Sequence, residues 1–83
     1  MTWTEYLRKS AKKQGIDIEH DDVRWLMSMI CHIPVNKRET ILTRYVETWV
    51  SAMRDCKEPV KAANAGRRAA NTYMRELLSD RNF

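Results

Sequence analysis

Five residues in the last third of the chain, Asn64, Arg67, Arg68, Asn71 and Arg75, have the types and spacing for recognition chemistry. An arginine guanidinium is a planar fork of donors that fits carboxylates, phosphates or a guanine edge, and an asparagine amide can pair with an adenine edge. At about 100° per residue the five share one side of a helix, while Ala62, Gly66, Ala69, Tyr73 and Leu77 line the other, flanked by Ala70 and Met74. Glycine inside a helix costs about 1 kcal/mol relative to alanine, and close approach to a neighbouring helix would compensate. The polar side is then a solvated face, a nucleic-acid contact or a protein interface. In the last case Arg67, Arg68 and Arg75 supply charge-assisted hydrogen bonds, and Asn64 and Asn71 set their geometry.

Other reactive side chains are placed less suggestively. His20 stands among Asp17, Glu19, Asp21 and Asp22, but consecutive carboxylates ahead of a helix serve as caps and solvated charge. His32 falls near a helix carboxyl end, where the dipole accounts for it. Cys31 and Cys56 fall on expected helices and are read as buried free thiols. Together with the two histidines they match no zinc-ligand spacing. Gly15 and Gly66 stand alone, so no phosphate-binding loop is present. The expectation is a non-enzymatic protein with no metal and no cofactor.

The pattern predicts an all-α compact bundle of four helices, about 2–13, 22–33, 37–56 and 59–78, in a single domain covering residues 1–83 whose tail frays from about 79. Thr2 and Glu5 form a capping box for the first helix, whose stripe is Trp3, Tyr6, Leu7 and Ala11, and Gly15 stops it. Asp21 is the expected cap of the second helix, and Pro34 ends it. Asn36 and Glu39 form another capping-box pattern. The third helix then carries Ile41, Leu42, Tyr45, Val46, Trp49, Ala52, Met53 and Cys56 on one arc. Pro59 opens the fourth at a first helical position.

The second helix is apolar on most sides, leaving Arg24, Ser28 and His32 as a narrow polar strip. It is either central in the bundle or partly covered by something outside the monomer, with Trp25 and Met29 as an apolar interface. A helix-turn-helix built from the second and third helices lacks the usual turn glycine and offers a nearly neutral outer face.

A chain of 83 residues with 43% apolar and 31% charged residues is enough for one thin-cored domain. The net charge of +4 is uneven: basic over 1–14, acidic over 15–36 and basic again over 57–83. Such a balance favours an anionic partner, nucleic acid or an acidic protein surface. No apolar run approaches the roughly 18 residues of a membrane span and the first residues lack a secretion-signal pattern, so a cytoplasmic location is expected. The phrasing of residues 44–49 (RYVETW) and 64–72 (NAGRRAANT) resembles small helical accessory and early-operon proteins of tailed phages and prophages. That resemblance implies stoichiometric binding in a bacterial host cell, to host or phage protein or to DNA. The leading expectation is an inhibitor or adaptor acting on another protein, of replication, recombination, transcription or defence machinery. A DNA-binding regulator using the fourth helix is the alternative, and a homodimer is a third arrangement.

Overall fold

The structure, a computed structural model, describes residues 2–81 and 83. Met1 and Asn82, which the expected domain and tail include, lie outside the described residues. Among the described residues there are four helices and no strand: α1 (Trp3–Lys13), α2 (His20–Ile30), α3 (Val35–Asp55) and α4 (Pro59–Asp80).

Each helix end has a local cause. The Thr2 hydroxyl accepts from the Glu5 amide at 3.1 Å, the hydroxyl half of the expected capping box. Gly15, at φ 76°, turns the chain after α1, a conformation that glycine enters without steric penalty. The chain then buries Ile16 and Ile18, which pull it inward and start α2 at His20, two residues ahead of expectation. Glu19 occupies the cap position without a side-chain hydrogen bond, so Asp21 is not the cap. α2 also stops early, at Ile30. Pro34 disfavours a helical conformation at Ile33, and the last turn tightens through His32 N–H to Met29 O and Ile33 N–H to Ile30 O. α3 begins directly after Pro34, whose φ of −53° and ψ of 139° place it just outside the helix. Asn36 therefore sits inside the first turn and does not cap it. α4 starts at Pro59 as expected and continues to Asp80, past Leu78, before Arg81 closes it in the left-handed region. Phe83 is half-buried and packs against the core.

α3 and α4 form the most extensive helix pair. They run antiparallel, since Tyr45 meets Asn71 while Trp49 meets Gly66 farther along α3. A methyl group at Gly66 would fall 2.7 Å from Trp49 Nε1 and 2.8 Å from Met53 Cγ, so the two backbones approach as closely as the missing side chain allows. α1 packs on α3 and α2, with its Tyr6 hydroxyl sharing a 2.7 Å hydrogen bond with Thr43 Oγ1. The core between the helices holds Leu7, Leu26, Ile33, Leu42, Tyr45 and Met74, each essentially without exposed surface.

Gly66→Ala is the informative substitution. Overpacking of this kind costs about 1–3 kcal/mol, which exceeds the roughly 1 kcal/mol that alanine gains in helix propensity. The variant should melt below the parent in a thermal scan and alter the Trp49 fluorescence. An unchanged or higher Tm would mean that α3 and α4 are not held this close.

Candidate functional site

Of the residues singled out on α4, Arg67 and Arg75 meet α2, Asn71 turns into the core against α3, and Asn64 and Arg68 stay on an outer surface. Asp22 meets Arg67, Trp25 meets Arg75, and Met29 shares a groove with Leu78, so long side chains of α4 reach α2 in the same residue order along both helices. The side of α4 expected to be open is therefore partly a helix seam.

Arg67 is committed to that seam. Its Nε donates to Asp22 Oδ2 at 2.6 Å and its Nη2 donates to Asp22 Oδ1 at 2.9 Å. The Asp22 side chain is 7% exposed and that of Arg67 is 48% exposed, so a buried carboxylate is neutralised by a guanidinium reaching in from the rim. The hydrogen bond to Asp22, and then its charge, raise the Arg67 pKa above its ordinary value. Asn71, one turn on, is 8% exposed, and its Oδ1 accepts from the Tyr45 hydroxyl at 2.6 Å. It is a core residue joining α4 to α3 and does not lie on a solvent face. Burial, reinforced by the Asp22 charge, pushes the Tyr45 phenol well up, with Arg67 and Arg75 pulling the other way.

Asn64, Arg68 and Arg75 remain exposed. Arg75 lies over the Trp25 ring, its Cζ 5.3 Å from the ring centroid, within cation–π range. Asn64 and Arg68 continue an exposed stripe of α4 with Lys61, which is paired to Glu58 at 3.2 Å, and Lys57 is exposed in the link just before the helix. Lys12 and Lys13 do not extend this stripe, because α1 packs on α3 and α2.

Trp25 and Met29 are both half-buried, so α2 is neither enclosed by the bundle nor peripheral to it. Beyond Trp25 a groove of about 480 Å³ opens between the carboxyl ends of α2 and α4, lined by Met29, His32, Leu78, Arg81 and Phe83. The sequence reading ends the fourth helix at about Leu78 and places Arg81 and Phe83 in a fraying tail, so it singles out none of the three for the groove. The apolar Leu78 and Phe83 at the end of a helical pattern are the available signal.

The remaining reactive groups lie apart from this face. Cys31 and Cys56 are free, exposed and half-buried respectively, and not buried on helices as expected. They occupy the positions that close α2 and α3, where their thiols donate to the Ser28 and Glu58 carbonyls. Among the described residues no group of three His, Cys, Asp or Glu side chains is placed to hold a metal ion. Tyr73 carries a buried hydroxyl that no well-aligned hydrogen bond satisfies among the described residues; burial raises its pKa, with the nearby Arg44 pulling the other way.

Two outcomes follow from the seam. Removing Arg67 strands a buried carboxylate, whereas removing Asp22 leaves a guanidinium that can swing into water, so Arg67→Ala should lower the urea midpoint more than Asp22→Ala. Equal losses would contradict the burial asymmetry. The second outcome concerns alkaline pH. Unfolded tyrosine titrates near 10.0 while folded Tyr45 holds its proton well above that, so the unfolded state releases a proton that the native state keeps. Stability should be flat below about pH 10 on this account and fall as pH rises past it, with Tyr45→Phe reducing the slope in urea titrations at each pH.

A scan against protein-family models, a search of curated proteins and a search of solved structures each return no match for this chain.

Proposed function

We propose that this protein is a small non-enzymatic interaction module that binds another protein and modulates it, using the face where α2 and α4 converge. The observation that carries this reading is the placement of half-buried Trp25 and Met29 beside Arg75 and a groove floored by apolar side chains. Interface cores are enriched in Trp, Met and Arg, and pockets of a few hundred cubic ångströms with few polar groups are where ligands and anchors seat. The phage-type phrasing of the second half of the chain agrees with a stoichiometric binder acting on host or phage machinery.

Nucleic-acid binding is the second reading. It keeps the exposed stripe of Lys57, Lys61, Asn64 and Arg68 near the amino end of α4, where the helix dipole also favours an anion. Arg67 and Asn71 are taken from it by Asp22 and Tyr45.

Two assays separate these readings, and neither alters Arg67, whose loss would unfold the seam. Wild type and a folded Met29→Lys variant are used as baits in a bacterial lysate at near-physiological salt. A partner retained by wild type and lost with Met29→Lys is the expected result. Anisotropy of a labelled duplex is then measured at low and near-physiological salt with wild type and with a Lys57→Ala/Lys61→Ala/Arg68→Ala variant. Binding that falls steeply with salt and disappears in the variant would favour the nucleic-acid reading.

A further inference from the structure

We infer that the groove between the carboxyl ends of α2 and α4 is the seat of an acidic amphipathic helix from another protein. This rests on the protein-binding reading above and specifies what that partner presents. Met29, Leu78 and Phe83 form an apolar floor, and the Trp25–Arg75 pair continues it one turn up both helices. From Trp25 to His32 is seven residues, about 10 Å of helix, which is the span of anchors at i, i+3 or i+4, and i+7 on an incoming helix.

Charge identifies the occupant. Arg75 and Arg81 supply the charge around the floor, and none of the described residues lining the groove is acidic. Glu76 and Asp80, the acids of the same part of α4, project about 160° round the helix from Leu78. Asp21 and Asp22 sit in the first turn of α2, with Asp21 about 12 Å along the axis from Met29 and the charge of Asp22 already met by Arg67. The rim is therefore positive and uncompensated over an apolar floor, which complements a helix carrying Leu or Phe on one face and Glu or Asp beside it.

A second copy of the chain fits less well. An isologous pairing through this groove would bring Arg75 and Arg81 close to their own copies, in a protein of net charge +4. Duplex DNA has no apolar side chain to fill the floor. A stacked single-stranded base would need the Trp25 face that Arg75 covers.

The test uses two labelled synthetic helices with identical Leu and Phe anchors, one with Glu and the other with Lys at the flanking positions, titrated into wild-type protein at near-physiological salt. The Glu peptide should bind, and the Lys peptide should bind at least about tenfold more weakly. Met29→Glu should abolish binding of the Glu peptide, and Arg75→Glu/Arg81→Glu should reverse the preference, with folding of each variant checked by circular dichroism. Binding of neither peptide, or of both equally, overturns the inference on wild type alone. So does a wild-type dimer in sedimentation that Met29→Glu dissociates, or competition by a single-stranded oligonucleotide. If both peptides fail while a lysate partner still depends on Met29, the acidic occupant is lost and the protein-binding reading stands. If that dependence is absent as well, both fall.

Discussion

A carboxylate that stays charged inside a small helical bundle needs a counter-charge, and Asp22 is buried. The constraint reaches across 45 residues of chain, because the guanidinium that meets it with two hydrogen bonds is Arg67. Such a pair contributes little net stability over an apolar contact of equal volume, since both groups must lose water. Its effect falls on alternatives. A slip of α2 by one turn along α4 would set the carboxylate against Ala63 or Asn71 in place of Arg67. The pair thus fixes where along α4 the short second helix lies, and with that the positions of Trp25 under Arg75 and of Met29 opposite Leu78.

α4 is consequently a helix with two neighbours on adjacent sides. Gly66 and Ala70 let α3 close on it, and the polar line Arg67, Asn71 and Arg75 turns toward α2 and the buried phenol of Tyr45. The roughly two turns of α4 ahead of Arg67 have no equivalent contact with α2 among the described residues, and Val60 there is 96% exposed. A polar line running from solvent into this seam is tolerable because each of its members has a partner: a carboxylate for Arg67, a phenol for the buried Asn71 and an aromatic face for Arg75. The unpartnered surface is left at the two ends of α4, a polar stripe at one and an apolar groove at the other.

The four-helix architecture was legible because its signals are local. Apolar residues recur at helical spacing, Pro59 marks a first helical position, and Gly15 marks a positive-φ stop. The faces of α4 were harder to read. A helical wheel assigns polar residues to solvent, and for Asn64 and Arg68 that is correct. Arg67 and Asn71 escape the rule because their partners, Asp22 and Tyr45, are 45 and 26 residues away, and no local pattern joins them. The buried arc, Gly66, Ala70, Asn71 and Met74, is rotated toward Ala70 and Met74 relative to the wheel. Trp25 and Met29 were legible as an excess of apolar surface. The groove beside them was not, because it forms only where the end of α4 returns past the end of α2.

The seam also determines what a diverged version of this chain would have to keep. Residues 22 and 67 are chemically complementary, as are 45 and 71, while 66 must stay without a side chain as long as 49 is an indole. Each pair can drift only jointly: an acid and its arginine may both become apolar, or a phenol and its amide may be exchanged together, but neither member changes well alone. Exposed Arg68 and Asn64 carry no such bond to a distant position and are free to vary with whatever is bound. In a set of orthologues the fold would therefore appear as linked columns, and the ligand as independent ones.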